Sequence, residues 1–382
     1  MKIVYVITSA GRDAYTAMTR VSAASLRMTN PGAKIVVACD AETDRAVRAS
    51  NDPLLGEVDE WLAFETPPGE AAFRNRFLKT SLRQRVSGEY LFLDSDTIVR
   101  DDLAPVFRMG GDIAGAPAHA REEHPCCIWS GDQKTLDEMQ WAIGRELYVC
   151  GGVLWVSESD GAHRFYRLWH EKWQAAHRQL GEFRDQPALN SAIHDSHVAC
   201  ARLPVRYNAQ ICANPLCMPD AAVWHYFYSL RYQAHSHIDE LIQTAMEANA
   251  VDAGRLRELM RSQVLWPRPF WLIGPGVHMI NGSVRDLMTA VETGQDAGAM
   301  FQAMLRVDPF YAERVLAKTL VDSYWGEVPR SFRFARKLIF LRHPRCLAQK
   351  SVRQCLVHAV CRRAQAVRTA FPAGPRGKFP EK

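Results

Sequence analysis

The stretch YLFLDSDTIV, residues 90–99, interrupts an apolar run with two aspartates. Residues 90–93 have the character of a buried strand, and Ile98 and Val99 read as its continuation. Carboxylates are costly to bury unless water or a cation lies beside them. Asp94 and Asp96 therefore mark either a solvated acidic turn or a site that binds a cation.

The sequence around this stretch predicts an α/β fold. Short apolar runs alternate with amphipathic stretches, and we predict strands at 3–7, 35–39, 61–64 and 90–93, with helices over 15–28 and 73–86. Strands separated by helices indicate a mostly parallel sheet flanked by helices. Ligands of such sheets bind beyond the carboxyl ends of the strands, where the two aspartates lie, and this favours a site over a solvated turn.

The spacing of the aspartates suits a divalent cation. Residues i and i+2 of an extended chain point to the same side, about 6 to 7 Å apart, so Asp94 and Asp96 can face one ion while Ser95 faces away. Oxygen ligands of this kind suit Mn²⁺ or Mg²⁺ rather than zinc. Two carboxylates leave coordination positions for water or for the phosphates of a substrate.

Residues 90–99 resemble the DxD segment of nucleotide-sugar-dependent glycosyltransferases with the GT-A fold. The resemblance is closest to the retaining type, which includes glycogenin and bacterial lipooligosaccharide galactosyltransferases. Three further segments are similar to that family and occur in the same order: VYVITSAGRDAY (4–15), FRDQPALN (183–190) and WHY (224–226). The resemblance covers about residues 1–230 and implies a GT-A, Rossmann-like fold.

The resemblance implies that the first segment holds the nucleotide. Thr8 and Ser9 would bond the base or ribose, and Tyr15 would stack on uracil. The alternative for Tyr15 is an aromatic on the buried face of the following helix.

Three basic residues recur at helical spacing before the DxD strand, namely Arg76, Lys79 and Arg83. A solvated basic face is their default interpretation. The hypothesis that we favour for Arg76 and Lys79 is contact with the nucleotide or its phosphates.

The remaining matches surround the donor sugar. They imply catalytic roles for Asp185 and Gln186 and substrate contact for four residues, Ser95, Gly151, Gly152 and Asn190. Asp185 also suits the N-cap of a helix with Pro187 in its first turn. The two glycines would bring the backbone near the sugar, but Cys150 occupies a position that is usually polar in the family.

His225 would complete the metal site with Asp94 and Asp96, although a histidine among aromatics is more often structural. The family's later Lys-Pro-Trp segment is missing after Tyr226. Contact with the diphosphate must then come from elsewhere, and Arg231 is a candidate.

The implied function is metal-dependent transfer of a hexose from a UDP-sugar to a hydroxyl of a glycan or glycolipid, with retention, in bacterial surface polysaccharide synthesis. The main alternative is a non-catalytic sugar-nucleotide-binding or scaffold protein. A nucleotidyltransferase would carry a Gly-rich loop where TSAGRD (8–13) has one glycine. A phosphohydrolase would place its aspartates after the first strand, not after about the fourth.

Composition divides the 382-residue chain further. We predict a catalytic domain over 1–232, a mainly helical region over 233–330 and a basic amphipathic tail over 331–382, with a disordered end. From Arg330 onward there are 14 Lys or Arg and one acid, a balance of +13, which leaves the remainder at −8 because the whole chain carries +5. The tail suits an anionic membrane surface. The alternatives are a solvated end and nucleic acid, for which no motif is present.

Ten cysteines without CxxC pairs, and an N-terminus unlike a signal peptide, predict reduced thiols in a cytoplasmic protein. With the tail, the prediction becomes a protein peripheral to the inner membrane.

Overall fold

Ten strands form two sheets in the described part of this computed structural model, which covers residues 1–120, 122, 125–126, 128, 130–210, 220–226 and 237–261. The strands are β1 (Lys2–Ile7), β2 (Lys34–Asp40), β3 (Glu60–Phe64), β4 (Tyr90–Leu93), β5 (Thr97–Val99), β6 (Ile113–Pro117), β7 (Val149–Val156), β8 (Cys200–Arg202), β9 (Ala209–Gln210) and β10 (Val223–His225). The main sheet has the order β3-β2-β1-β4-β7-β6-β8, and the smaller sheet has the order β5-β10-β9.

Helices cover the main sheet. They are α1 (Ala14–Thr29), α2 (Ala41–Ala49), α3 (Leu54–Glu57), α4 (Ala71–Thr80), α5 (Ser130–Glu138), α6 (Asp160–Leu180), α7 (Gln186–Ser196), α8 (His237–Glu247) and α9 (Ala253–Arg261). Strands β3, β2, β1 and β4 pair in parallel, as do β6 and β8, whereas β7 runs antiparallel to β4 and β6. The predicted α/β class with a mostly parallel sheet is confirmed.

The core lies on both faces of this sheet. Along β1, Ile3 and Tyr5 pack with Leu26 of α1, whereas Val4 packs with Leu78 of α4 and Trp169 of α6. All six are essentially inaccessible to solvent. A strand buried on both faces reads as a continuous apolar run, which is why the first four strands are legible in the sequence.

The chain changes sheets at the two aspartates. Leu93 is the last residue of β4, and Thr97 begins β5, which pairs antiparallel with β10 in the smaller sheet. The prediction that Ile98 and Val99 continue the preceding strand is therefore wrong. Burial made the two segments look continuous, because both are fully enclosed.

Two other predicted elements differ from the structure. The helix predicted over 73–86 ends at Thr80 and is followed by a 3-10 turn, Leu82–Gln84. The segment 116–135 has no clear period in the sequence, which predicts a long loop and a candidate lid, but it contains the end of β6 and the first part of α5. Helix α5 is polar on most of its surface, so its apolar period is weak in the sequence.

Helices α8 and α9 pack against α1 and lie at the start of the region predicted to be mainly helical. Arg20 of α1 is buried, pairs with Glu57 at 2.9 Å and donates to the carbonyl oxygens of Ala245 and Asn249 at the end of α8. The rest of that region, the tail over 331–382 and Arg231 lie outside the described residues.

In the described ranges, no helix has both the length and the apolarity needed to cross a membrane. Of the ten cysteines, these ranges place four, and those at positions 39, 150 and 200 are free thiols.

Candidate functional site

The junction between the two sheets brings three candidate ligand residues together. Asp94 follows β4 and donates its backbone N–H to the Gly152 carbonyl of β7 at 2.8 Å. Two residues later, the carbonyl of Asp96 accepts the N–H of Tyr226 at 2.9 Å, which fixes the end of β10 beside it. Because His225 ends β10, its side chain meets both carboxylates.

One ligand atom from each of Asp94, Asp96 and His225 lies within 4.8 Å of the others. The Nε2 atom of His225 is 3.4 Å from Asp96 Oδ1 and 3.8 Å from Asp94 Oδ2. The imidazole is buried, whereas the carboxylates are partly open to solvent. Two carboxylate oxygens and one imidazole nitrogen are a donor set that can hold a divalent cation.

Asn208, which sequence reasoning missed, orients the histidine. Its Oδ1 lies 2.9 Å from His225 Nδ1. An amide oxygen only accepts, so Nδ1 carries a proton and Nε2 is the nitrogen that faces the carboxylates. Partners of this kind fix the tautomer of metal-binding histidines. Asn208 ends a short 3-10 turn, Val205–Asn208, and nothing in its sequence context marks it.

Electrostatics favour a positive species between these groups. Burial works against charge on His225, but Asp96 outweighs it and raises the pKa of the imidazole to about 10. A proton and a metal ion compete for the same nitrogen, so ion binding at this place releases a proton.

Gly152 makes room for the imidazole. A Cβ atom at this position would overlap Cε1 of His225 and would lie 2.9 Å from Oδ2 of Asp94. The glycine is therefore needed for β7 to pass close behind the two side chains. Ser95 has its hydroxyl 2.8 Å from Thr19 of α1, which agrees with the prediction that it faces away from the ion.

Lys79 links this group to Asp185. Its ammonium, buried beneath the site, lies 3.0 Å from Asp94 Oδ1 and 3.6 Å from Asp185 Oδ2. Arg76, one turn earlier on α4, lies 3.3 Å from Asp185 Oδ1. Desolvation alone would lower the pKa of Arg76, but Asp185, Asp94 and Asp96 raise it.

The interpretation of Arg76, Lys79 and Arg83 as a solvated basic face is wrong for Lys79 and Arg83. Lys79 is 4% exposed and Arg83 is 1% exposed. Arg83 pairs with Glu158 at 2.7 Å and donates to backbone carbonyls, so it is structural.

Asp185 occupies the N-cap position of α7, yet its side chain makes no capping hydrogen bond. Its Oδ2 is buried and has no hydrogen-bond partner among the described residues, although the Lys79 ammonium is near. Capping therefore does not explain this carboxylate. Gly151 lies beside this carboxylate, since a Cβ there would be 3.7 Å from the same oxygen and 3.8 Å from Lys79 Nζ.

Gln186 and Asn190 lie on the first turns of α7. Gln186 donates its amide N–H to Asp132 of α5 at 3.2 Å. Asn190 is buried, and its amide bonds the backbone. It accepts from the N–H of Val149 and donates to the carbonyl oxygens of Val149 and Gln186. In this arrangement Asn190 supports the strand that carries the two glycines.

The residues predicted to hold the nucleotide follow β1, the neighbour of β4. Thr8 donates to the Ala71 carbonyl at 3.1 Å, and the Ser9 hydroxyl bonds the backbone of Gly11. Both hydroxyls shape the loop in which Gly11 adopts a φ of +111°.

Tyr15, in contrast, is 38% exposed, so the buried-face alternative is wrong. Burial, Asp13 and Asp96 raise the pKa of the Tyr15 hydroxyl and Arg76 lowers it, which places the ring at the edge of the same group of charges.

No family model and no curated protein match the chain. Solved structures do. The chain is similar to a galactosyltransferase, LgtC, in complex with donor and acceptor sugar analogs, with a TM-score of 0.44 and 18% identity over 68% of this chain and 95% of that one.

Two further structures are similar. The glycosyltransferase GlyE of Streptococcus pneumoniae TIGR4 has a TM-score of 0.43 and 18% identity over 67% of this chain and 63% of that one. Mouse xyloside xylosyltransferase 1 has a TM-score of 0.39 and 12% identity over 59% of this chain and 98% of that one. At these identities and TM-scores the likeness carries no argument about activity, so the function is inferred from the site.

Proposed function

We propose that the protein transfers a hexose from a UDP-sugar to a hydroxyl of a glycan or glycolipid, with a divalent ion held by Asp94, Asp96 and His225. The observation that carries the proposal is the meeting of these three side chains, within 4.8 Å, at the carboxyl end of β4. The four sequence segments that resemble retaining glycosyltransferases supply this group and its immediate surroundings.

The charge balance of the site supports an anionic donor. Three carboxylates, Asp94, Asp96 and Asp185, face two cations, Arg76 and Lys79, which leaves one negative charge when His225 is neutral. A divalent ion would change that balance to one positive charge. A nucleoside diphosphate is an anion that such a site attracts.

The ion, Mn²⁺ or Mg²⁺, would act as a Lewis acid that neutralises charge on the departing UDP. The chain's own residues prepare the other half of the reaction. Lys79 and Arg76 hold Asp185 in place, and its buried Oδ2 can accept a hydrogen bond from a sugar hydroxyl. Gly151 and Gly152 let the backbone approach the sugar.

Retention follows from front-face attack in this proposal. Among the described residues at the site there is no dedicated nucleophile: Asp185 is tied to two cations, and Gln186 is an amide. The acceptor hydroxyl then attacks on the face from which UDP leaves, guided by Gln186 and the diphosphate.

The cellular setting that we propose is bacterial surface polysaccharide synthesis at the inner membrane. The net charge of +13 on residues 330–382 supports attraction to anionic lipid.

The test is a panel of nucleotide-sugars incubated with the protein and Mn²⁺, with UDP release as the readout. We expect hydrolysis of one UDP-hexose, and a loss of at least about 100-fold in Asp96→Asn, since removing a ligand should cost more than the 10–100-fold typical of its supporting residues. Glu65→Gln, which alters an exposed carboxylate, should retain wild-type activity.

Two results would contradict the proposal. One is full activity in Asp96→Asn. The other is UDP binding without turnover of any nucleotide-sugar, with or without acceptors, which would favour the non-catalytic binding or scaffold protein.

A further inference from the structure

A buried polar cluster joins α5 to the start of α7. Asp132 of α5 is 4% exposed and accepts hydrogen bonds from three side chains. The donors are the Tyr148 hydroxyl at 3.1 Å, the Arg184 guanidinium at 3.1 Å and the Gln186 amide at 3.2 Å. Tyr148 comes from the chain just before β7, so three separate segments converge on one carboxylate.

The cluster imposes an orientation on the Gln186 amide. An ionised carboxylate can only accept, so Gln186 must turn its NH₂ group toward Asp132. Its Oε1 atom then points the other way, and no residue in the described ranges donates a hydrogen bond to it. Gln186 directly follows Asp185, whose buried Oδ2 faces Gly151 and Lys79. The amide therefore lies on the same side of the site as these three residues.

Arg184 and Tyr148 hold Asp132 in turn. Arg184 also pairs with Glu182 and donates to the Gly131 carbonyl at 3.0 Å, which ties the loop before α7 to the first turn of α5. Thr135, one turn later on α5, donates to Glu182 at 3.1 Å. The carboxylate therefore has little freedom to turn away from Gln186.

We propose that Asp132 is a positioning residue of the transfer reaction, which fixes the Gln186 amide so that Oε1, and not NH₂, faces the donor sugar. This inference rests on the proposed function for its consequence and on the hydrogen-bond geometry for its structure. An oxygen in that place accepts from a sugar hydroxyl and lies where it can stabilise positive charge that develops at the sugar.

The cluster also makes the orientation sensitive to pH. Burial raises the pKa of Asp132 to about 6, although Arg184, Tyr148 and Gln186 oppose the rise. A protonated Asp132 can donate, so it no longer excludes the reversed amide. The fixed orientation is present above pH 6 and is lost as the pH falls through it. The charged and titratable groups facing Asp132 are Arg184, Glu182 and Tyr148, and Asp185 acts on the neighbouring Tyr148.

The decisive variant is Asp132→Asn, which offers a donor as well as an acceptor and so fixes neither orientation. For hydrolysis of the UDP-hexose found by the panel, we expect kcat to fall about 10- to 100-fold, because misplacing a group by about 1 Å can cost about 100-fold in rate. The KM for the donor and the affinity for UDP with Mn²⁺ should change less than about twofold. The acid limb of the wild-type pH profile near pH 6 should disappear.

A double-mutant cycle separates positioning from general support of the fold. In Gln186→Ala, the further change Asp132→Asn should have no effect, because Asp132 acts through the amide. Gln133→Ala changes an exposed side chain of the same helix, which donates to Asp137 and does not contact the cluster, and it should keep the wild-type kcat. An equal loss from Asp132→Asn in both backgrounds would overturn the proposal.

A readout independent of turnover completes the test. In protein labelled with ¹⁵N-glutamine, the side-chain amide resonance missing from Gln186→Ala should titrate with a midpoint near pH 6 in the wild type and not in Asp132→Asn. An amide that does not titrate would overturn the positioning role. Should no nucleotide-sugar be hydrolysed, the proposed function fails, and the resonance still decides whether Asp132 holds the amide.

Discussion

Asn208 shows at the residue scale how a side chain outside the ligand set controls it. It accepts from Nδ1 of His225 at 2.9 Å and leaves Nε2 toward Asp94 and Asp96. Asn208→Ala should lower the affinity for Mn²⁺, measured by calorimetry in the presence of UDP, by about 10- to 100-fold, as removal of such supporting partners does in other metal sites. Unchanged affinity would mean that the imidazole needs no partner to reach the ion.

Gly152 carries a second prediction at this scale. Its alanine variant would press a methyl group into His225 and Asp94, so we expect a loss of about 1 to 3 kcal/mol in the free energy of unfolding together with loss of Mn²⁺ binding. Gly144→Ala is the matched control, because a Cβ there meets nothing within 4 Å. Chemical denaturation and Mn²⁺ titration of both variants check this. Equal behaviour of the two variants would contradict the close packing of β7 behind the site.

At the scale of elements, α4 and α6 meet through His170. Its Nδ1 lies 2.7 Å from the Thr80 hydroxyl, and its ring packs edge-on against Phe77. Burial, with a smaller effect of Arg85, lowers the pKa of His170 to about 4 from 6.5. Because the folded-state pKa is the lower one, the unfolded chain binds the proton first, and stability falls as the pH drops from 6.5 to 4.

The size of this effect follows from the shift. It corresponds to at most about 3 kcal/mol of unfolding free energy lost across the window. His170→Gln should flatten the slope of unfolding free energy against pH between 4 and 6.5, measured by urea denaturation. The same slope in the variant and in the wild type would show that His170 does not stay neutral in the fold.

The accuracy of the sequence predictions also depends on the element. Strands buried on both faces, such as β1 and β2, are readable because all residues apart from the charged ones at their ends are apolar. The interpretation of an apolar run as one strand failed at β5, because hydrophobicity alone does not reveal that the chain has passed to the other sheet.

Three side chains whose roles depend on partners distant in sequence were not predicted. The burial of Arg83 depends on Glu158, 75 residues away, and Asn208 and Asp132 gain their roles only from the residues that folding brings to them. The spacing of Asp94 and Asp96, by contrast, is local, and it was sufficient to locate the site.

At the scale of the whole molecule, charge is divided between residues 1–329, with a net charge of −8, and residues 330–382, with a net charge of +13. We predict that the full chain floats with vesicles of anionic lipid at low salt, because each nearby Lys or Arg contributes about 1 kcal/mol. Removal of residues 331–382 should abolish flotation, as should neutral lipid or about 1 M salt, at which charges are screened within a few ångströms. Flotation of the truncated chain would contradict the prediction that the tail binds the lipid.

The most direct measurement is Mn²⁺ binding in the presence of UDP, followed by electron paramagnetic resonance as the free-ion signal is lost. The account predicts that the wild type and Glu65→Gln bind one ion each and that Asp94→Asn, Asp96→Asn and His225→Ala do not, while all five proteins unfold at similar temperatures. Retained binding in any of the three ligand variants would contradict the claim that these side chains hold the ion together.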